Sequence, residues 1–419
     1  MKKQLLALSA AAALLVPAVA GAEGFGINEW TAEGVAMGGA RMFADNDPGN
    51  VAYNPASITK VKGEAIKNSA TYISPHGKYK LYKDGKEFES GSNVVHAGWA
   101  PGAYYVKQLN DKDWFGLGTF ARFAMVSEFE RSMPGVSSNA FFSKLNGVSL
   151  TPVYAHKFDN KWSGAVGAEI NYVGLELQKN LDLTAMYGGK GTTQIEGESY
   201  ALGWNAAANY AFDDKNEVGV VYRSKIKHSM EADLKAYGLG LGGKDLKTDA
   251  YGVVTLPDSW ALGYSHKFDD KTRVELNGTY TKWSTYDALN ISFKEGIPVA
   301  GGQMTIPGSN SDKNWDNGWR YAIGVEHKLS PKYTLMAGFA YDESVIPYDG
   351  GDFIVPTGER RTYSIGARYN DDEQALAVAL GYIDIGGLNF KGHDTDAFSE
   401  ARTRDNYAKV FSISYERHF

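Results

Sequence analysis

The sequence contains no cysteine, which excludes disulfide bonds, thiolate metal sites and thiol nucleophiles. Past residue 22 it has no run of 18 apolar residues, which excludes membrane-spanning helices. The mean hydropathy is −0.35, a value that alternating membrane strands also give because their two faces average out. Since only helices and closed barrels satisfy every backbone hydrogen bond in lipid, a barrel is the one membrane structure left open.

Positive charge is also scarce: 43 Lys and Arg stand against 49 Asp and Glu. Two of the lysines, Lys2 and Lys3, open a segment that continues through the apolar run 5–19 and ends in small residues at 20–22. This pattern predicts a secretory signal peptide over residues 1–22 and a mature chain that begins at Glu23. An acidic exported chain is not expected to bind nucleic acid.

The residues that are abundant favour strands and membrane interfaces: there are 48 Gly, 26 Tyr and 9 Trp. In the last segment of the chain, apolar or aromatic residues alternate with polar ones. One row contains Phe411, Ile413, Tyr415 and Phe419, and the other contains Ser412, Ser414, Glu416 and His418. Because alternate side chains of a strand point to opposite faces, this pattern suits lipid on one side and a polar lumen on the other.

Fourteen such segments follow residue 60, separated by turn-forming residues. The predicted strands are Glu64–Tyr72, Val94–Val106, Trp114–Glu130, Leu145–Phe158, Trp162–Leu181, Tyr200–Phe212, Glu217–Leu234, Tyr251–Phe268, Thr272–Phe293, Trp319–Leu329, Tyr333–Ile346, Arg361–Tyr369, Ala375–Phe390 and Tyr407–Phe419.

The connections between these segments alternate in length. Every second connection is a tight polar turn, such as 159–161 or 269–271. The others are predicted as longer irregular loops: Pro75–Asn93, Asp182–Ser199, Lys235–Ala250 and Gly296–Asn317. Short turns on one side and long loops on the other are typical of an outer-membrane barrel, so residues 61–419 are predicted to form an all-β, antiparallel, 14-stranded transmembrane barrel.

Residues 23–60 do not alternate and combine apolar side chains with many small ones. We predict that they form a compact N-terminal hatch inside the lumen, with a disordered arm as the alternative. The Asn54-Pro55-Ala56 element favours a hatch, because Asn-Pro initiates a turn and fixes the direction of the backbone.

Several short motifs, taken together and in order, resemble the FadL-type transporters of long-chain fatty acids and their toluene-channel relatives in the Gram-negative outer membrane. The matching segments are Gly24–Trp30, Gly49–Ala56, Gly203–Ala206, Tyr222–Ser224, Thr255–Trp260 and Gly338–Ser344. The resemblance covers nearly the whole mature chain. It implies a monomeric barrel that captures a hydrophobic ligand outside, holds it in a lumenal pocket and releases it sideways into the bilayer.

The resemblance also directs attention to individual residues. Phe25, Ile27 and Trp30 are the expected ligand contacts of the hatch. Arg223, Arg320 and Arg360 are the lumenal cations expected to meet a fatty acid carboxylate, unless they pair with nearby acids. The third strand is expected to bend and open the wall, with Gly116 and Gly118 permitting the bend.

The expected partners are the hydrophobic ligand, outer-membrane lipid and lipopolysaccharide, and the barrel-assembly machinery, which would read the C-terminal Phe419. No cofactor or metal is expected. A channel for aromatic hydrocarbons or alkanes is the main alternative, and a general porin is a further one. An enzymatic barrel is disfavoured because the sequence has neither a Gly-x-Ser-x-Gly nor a His-Glu-x-x-His motif.

Overall fold

The computed structural model describes residues 24–94, 97–184, 189–239, 245–299, 302–371 and 373–419. The predicted signal peptide lies outside the described residues. Twenty strands form one antiparallel sheet. They are β1 (Glu64–Lys83), β2 (Lys86–Ser92), β3 (Gly98–Gln108), β4 (Asp113–Glu128), β5 (Phe142–Lys157), β6 (Trp162–Asp182), β7 (Lys190–Ala211), β8 (Asn216–Arg223), β9 (Ile226–Tyr237), β10 (Leu246–Leu256), β11 (Ser259–Lys267), β12 (Thr272–Thr281), β13 (Ala288–Val299), β14 (Met304–Asp312), β15 (Gly318–Lys328), β16 (Tyr333–Asp342), β17 (Arg360–Asn370), β18 (Gln374–Ile385), β19 (Asn389–Lys391) and β20 (Glu400–His418).

The sheet closes on itself, because β20 pairs with both β18 and β1. Four positions in the wall are each occupied by two consecutive strands: β8 with β9, β10 with β11, β12 with β13, and β14 with β15. The strands β2 and β19 extend their neighbours beyond the closed ring. The wall is therefore a 14-stranded antiparallel barrel, which confirms the predicted fold class.

All four predicted loops are wrong in part, because strands extend into them. β7 begins at Lys190, inside Asp182–Ser199, and segment Lys235–Ala250 contains the end of β9 and the start of β10. Segment Pro75–Asn93 contains the end of β1 and all of β2, which pair as a hairpin. Segment Gly296–Asn317 contains β14, which pairs with β13. One face of each hairpin is buried, with Tyr79 and Leu81 of β1 and Ile297 and Val299 of β13 at most 3% exposed. The short strands β2 and β14 contain few apolar residues, which hides the alternation in the sequence. Conversely, the predicted strand Thr272–Phe293 is interrupted by a 3-10 turn at Trp283–Thr285.

The facing of the strands follows the alternation in the sequence. In β20, Ser412, Ser414 and Glu416 are at most 2% exposed, whereas Phe411 and Ile413 are 39% and 37% exposed. Apolar side chains of this kind form a belt around the outside of the wall. The belt includes Leu150, Ile170, Leu202, Leu262, Leu276, Ile323, Leu335, Ile365, Leu380 and Ile413. This belt is the surface that a barrel presents to lipid.

The tight turns repeat one local device. In three of them an aspartate side chain accepts hydrogen bonds from the backbone N–H groups two and three residues later, at 2.7 or 2.8 Å. These aspartates are Asp159, Asp213 and Asp269. Asn110 and Ser330 make the same pair of bonds in two further turns. These hydrogen bonds from the side chain to the backbone fix the conformation of the turn and keep the connection short.

Residues 24–60, which we call the plug, lie inside the barrel. The plug contains two short helices, α1 (Ala32–Ala36) and α2 (Asn50–Tyr53), and a 3-10 turn at Pro55–Lys60. A third short helix, α3 (Pro134–Asn139), lies in the connection between β4 and β5. None of the helices in the described part of the chain has the length and apolarity that a membrane span requires.

Candidate functional site

The wall is incompletely paired between β3 and β4. Their ladder runs from Gln108 and Trp114 to Ala103 and Thr119, and it ends there. Beyond this point β4 pairs only with β5, with a shift of register between Ala121 and Phe123. The bulge bends β4 and leaves one edge of the strand without a wall neighbour.

The tip of the plug takes the place of the missing neighbour. The Ile27 N–H donates to the Arg122 carbonyl at 2.9 Å, and the Ala124 N–H donates to the Phe25 carbonyl at 3.0 Å. The Trp30 Nε1–H donates to the Ala121 carbonyl at 2.7 Å. The edge of β4 is thus held by the plug, and movement of the tip would release it.

Gly116 and Gly118 lie before this break, in the part of β4 that pairs on both sides. A Cβ at Gly116 would approach Val51 of the plug to 2.9 Å, and one at Gly118 would approach it to 2.6 Å. The two glycines therefore make room for the plug, while the register shift that bends the strand lies three or more residues further on.

Phe25 is the centre of an aromatic cluster. Its ring is 1% exposed and lies 4.8 Å from Trp283, 5.2 Å from Tyr286, and 5.9 Å from both Phe123 and Trp315. The contacts with Trp283, Tyr286 and Phe123 have the edge-to-face geometry that aromatic pairs prefer. Sequence reasoning found Phe25 and missed its four partners. The available signal was the break in alternation at 283–286, where Trp283 and Tyr286 turn inward.

Two cavities lie next to the plug tip. The loop-side cavity is lined by Gly24 together with Tyr79, Met125, Phe129 and Val355, among others. The plug-side cavity is lined by residues that include Gly26, Ile27, Trp30, Phe123, Arg223 and Trp283. Because Gly24 lines one cavity and Gly26 lines the other, the backbone of Phe25 stands between them. Both are bordered by apolar side chains that would suit a hydrophobic ligand.

The remaining predicted hatch residues anchor the plug. The Asn54 Nδ2 donates to Asn209 Oδ1 of β7 at 2.7 Å, and Asn54 Oδ1 accepts from the Ala56 N–H at 3.1 Å. Pro55 is the first residue of the 3-10 turn. The Ala56 carbonyl accepts a hydrogen bond from Ser163 of β6 at 3.3 Å. All three residues are buried.

The three candidate arginines differ in their surroundings. Arg320 forms two hydrogen bonds of 2.6 Å with Asp342 and donates to the Gly38 carbonyl, so its charge is balanced. Arg360 lines the loop-side cavity and donates to the Gly24 carbonyl at 3.2 Å. Arg223 lines the plug-side cavity, where its guanidinium lies over the rings of Trp30 and Phe120. The structure does not bring these three residues together into one site.

A buried ionic cluster fixes the base of the plug to the wall, and sequence reasoning missed it. The Lys67 Nζ of β1 lies 2.9 Å from Glu33 and 2.5 Å from Asp47 of the plug, and 2.9 Å from Glu416 of β20. Arg368 of β17 also contacts Glu33 and Glu416. The three carboxylates lie close enough together to hold a metal ion, but the lysine ammonium group already supplies a cation among them.

The long-loop side is covered by packed aromatic rings. Phe353 is fully buried and lies between 5.1 and 5.9 Å from Tyr79, Phe129, Phe390 and Phe398. A neighbouring loop is held by Asp396, whose carboxylate accepts hydrogen bonds from His393 and from Asn139 of α3. The hydrogen bond to Asp396 raises the pKa of His393 above its usual value of 6.5.

The chain is similar to characterised outer-membrane proteins along almost its full length. It is 24% identical to a long-chain fatty acid transport protein of Escherichia coli, covering 91% of this chain and 90% of the relative. It is 27% identical to outer membrane protein P1 of Haemophilus influenzae, covering 99% and 97%.

Solved structures share the fold. A FadL homologue of Pseudomonas aeruginosa superposes with a TM-score of 0.83 at 20% identity, covering 94% of this chain and 99% of the homologue. The toluene transporter TodX of Pseudomonas putida superposes with a TM-score of 0.68 at 17% identity, covering 95% and 99%.

Residues 13–419 match the family described as outer membrane protein transport protein (OMPP1/FadL/TodX). The closed barrel with an apolar outer belt agrees with this match. Family members are transporters and channels, not enzymes. The chain therefore belongs to the FadL family of transporters for hydrophobic compounds and is a protein of the outer membrane.

Proposed function

We propose that this protein transports long-chain fatty acids passively across the outer membrane. The observation that carries the proposal is the position of the plug tip, where Gly24 and Gly26 on either side of Phe25 each line a cavity with apolar side chains, next to the place where the wall is open. Burial of apolar ligand surface contributes about 25 cal/mol per Å², so such cavities would hold an acyl chain firmly. The name of the E. coli relative agrees with this substrate.

In the proposed route the ligand enters the loop-side cavity first. It then displaces the plug tip, which breaks the hydrogen bonds of Phe25 and Ile27 to β4. With that edge free, the ligand leaves through the unpaired part of the wall into the bilayer, and the protein acts as a monomer. A ligand shifts the tip only if it binds the displaced state of the protein more tightly than the resting state. Displacement of the tip would uncover the aromatic cluster, and contact of the ligand with these rings would supply the difference in affinity.

A channel for monoaromatic hydrocarbons is the second candidate. It is favoured by the four rings that surround Phe25, since a small aromatic ligand could stack in the position of its side chain. The TodX structure belongs to a toluene transporter. A general porin is disfavoured because the plug occupies the lumen and is anchored to several strands.

Uptake of labelled oleate and toluene by cells that lack their own transporters tests the proposal. We expect Phe25→Ala to change the rate of oleate uptake severalfold, because truncation of the ring removes the aromatic contacts that hold the plug tip between the two cavities. Phe88→Ala is the matched control, since Phe88 lies on the exposed hairpin strand β2. Uptake of toluene without oleate would favour the second candidate, and conductance of small sugars without hydrophobic uptake would favour a porin.

A further inference from the structure

The opening between β3 and β4 is bounded at both ends, and we call it the window. At one end lies the last pair of the β3–β4 ladder, Ala103 with Thr119. At the other end the Val94 N–H donates to the Glu128 carbonyl at 2.8 Å. An uninterrupted antiparallel ladder that continued from Ala103 and Thr119 would bring these same two residues together. The two edges of the window therefore keep a common register.

Two unpaired strand edges in a common register should join once nothing separates them. Backbone groups without hydrogen bonds are costly in the hydrocarbon region, and pairing of β3 with β4 would satisfy them. In the resting state the plug tip prevents this pairing, because Phe25 and Ile27 bond to the edge of β4. In the proposed route the tip moves away while the ligand leaves. A second restraint on β4 is then needed to keep the window open.

Arg122 is placed to supply this restraint. It is the extra residue of the β4 bulge, because Ala121 pairs with Val148 of β5 and Phe123 pairs with the next residue of β5, Gly147. A bulge bends its strand and redirects the side chain at the inserted position. The side chain of Arg122 lines the plug-side cavity, and the residue is 4% exposed. The bend of β4 and the position of this side chain therefore have one cause.

The guanidinium group of Arg122 is bonded to two other parts of the wall. Its Nη1 donates to both carboxylate oxygens of Glu169 on β6, at 3.0 and 3.2 Å. Its Nη2 donates at 3.2 Å to the carbonyl of Pro257, in the break between β10 and β11. In the order of the wall, both acceptors lie beyond β5, on the side of β4 that is away from β3. The bonds therefore hold the bulge away from β3.

The carboxylate of Glu169 is fixed in turn by a chain of buried side chains. Ser149 donates to it at 2.6 Å, and the Asn171 Nδ2 donates to the Ser149 hydroxyl at 2.8 Å. The Asn171 Oδ1 accepts a hydrogen bond from His228 Nε2 at 2.9 Å. These four residues are 0% exposed. Because its partner is held by three strands, Arg122 has a fixed anchor, and charge-assisted hydrogen bonds of this kind are strong.

We propose that Arg122 is a positioning residue that keeps the window open while the plug tip is displaced. Its bonds to Glu169 and Pro257 hold the bulge in place, so that the freed edge of β4 does not pair with β3. This role rests on the proposed function, which makes the window the exit of the ligand. It requires no contact between Arg122 and the ligand.

Disulfide cross-linking tests this role directly, because the chain contains no cysteine of its own. Gly98→Cys with Ala124→Cys places one thiol on each edge of the window, at positions that are opposite in the common register. A disulfide requires the two Cα atoms to come within about 7 Å, so its yield reports closure of the window. Ala103→Cys with Thr119→Cys gives the reference yield of a position that is already paired.

Cross-linking is measured with the purified protein in lipid nanodiscs, with and without oleate, and uptake of labelled oleate is measured in cells. With Arg122 present, the window pair should cross-link weakly in both conditions. Arg122→Gln should raise the yield in oleate about 10-fold and lower oleate uptake by a similar factor, because it breaks a buried ion pair. Glu169→Gln should act in the same direction, and Arg122→Lys, which keeps the charge, should restore part of the uptake.

Two further variants separate closure of the window from other effects. Phe25→Ala loosens the plug tip without a ligand, so Arg122→Gln in that background should raise the yield in the absence of oleate. Arg273→Gln is the matched control, because Arg273 is 5% exposed and forms a buried ion pair with Glu275 of the same strand, β12, at 3.1 Å. It should not raise the yield of the window pair.

Several outcomes would overturn the proposal. A low yield in both Arg122→Gln and Glu169→Gln, with oleate and in the Phe25→Ala background, would show that the window does not close. An equal rise in Arg273→Gln would indicate general loosening of the barrel. Loss of oleate uptake in Arg122→Gln without a rise in cross-linking would mean that the arginine acts on the ligand. If the wild-type protein takes up no oleate but Arg122→Gln still closes the window in the Phe25→Ala background, the proposed function fails and the positioning role stands.

Discussion

At the scale of single residues, the interior of this barrel is organised by what each buried charge contacts. Lys67 meets three carboxylates, Arg320 meets one, and Arg223 meets none among the described residues. The sequence identifies Arg223 and Arg320 as lumenal cations, but it does not single out Lys67. It does not identify their partners, which come from strands and plug segments far away along the chain. Burial with a partner favours a structural role, and burial without one favours a ligand.

The cluster around Lys67 gives a direct prediction. Lys67→Met would leave Glu33, Asp47 and Glu416 close together without their shared lysine, which costs about 3–5 kcal/mol for a buried pair. Because two of these carboxylates belong to the plug, the plug should loosen more than the wall. Hydrogen exchange of the purified protein should therefore show faster exchange for plug amides than for amides of β1 and β20.

Lys78→Met is the matched control for that experiment. Lys78 lies on the same strand, but its 3.0 Å ion pair with Asp405 is exposed on both sides. An exposed pair contributes about 0–1 kcal/mol, so this variant should exchange like the wild-type protein. Equal effects of the two substitutions would contradict a special role for the buried cluster.

At the scale of elements, the sequence predicts those turns and strands that are fixed by residues close together in the chain. The tight turns were predicted because Asp, Asn and Ser bond their own following backbone. The sequence predicts the lipid-facing strands because a strand with one apolar face shows alternating apolar and polar residues. The β13–β14 hairpin and the interruption at Trp283 are not predicted, because β14 contains few apolar residues and Trp283 is fixed by contact with Phe25. The place where β4 bends follows from contacts with the plug, which no local pattern encodes.

The turn at Asp269 should depend on pH. Its carboxylate accepts the backbone N–H groups of Lys271 at 2.8 Å and Thr272 at 2.7 Å, and these bonds lower its pKa below the usual 3.8. A lowered pKa in the folded state means that the stabilisation is present above pH 3.8 and is lost as the pH falls through the folded value. NMR shifts of the Lys271 and Thr272 amides should titrate with a midpoint below 3.8.

Two comparisons check that assignment. Asp269→Asn keeps the acceptor oxygen and removes the titration, so the amide shifts should become independent of pH in this range. The turn at Ser330 is built in the same way around a hydroxyl group, and its Lys332 and Tyr333 amides should not titrate in the wild-type protein. A midpoint at or above 3.8 would show that the two backbone bonds do not stabilise the charged carboxylate.

At the scale of the whole molecule, the two faces of the wall meet different environments. Inward positions carry small residues and charges that pack against the plug, while outward positions carry the apolar belt. In β18, for example, Ala377 and Ala379 are buried, and Val378 and Leu380 are exposed. The plug replaces the side chains that would fill a narrower barrel, because a ring of fourteen strands is too wide to be filled by its own residues. In the proposed route, only the plug tip has to move, and among the described residues it forms no ion pair.

The apolar belt marks the part of the wall that lies in the membrane, so a charged residue introduced into the belt should destabilise the folded protein. Leu380 is 57% exposed and pairs with Ile365 and Phe411, which also face outward. It lies six residues after the start of β18, so Leu380→Arg would place a charge near the middle of the bilayer and cost about 2–4 kcal/mol. Urea titration of folding into lipid vesicles measures this cost. Glu87→Arg on the exposed strand β2 breaks an exposed ion pair with Lys80 and should cost at most about 1 kcal/mol. An equally small cost of Leu380→Arg would show that this face of the wall does not meet lipid.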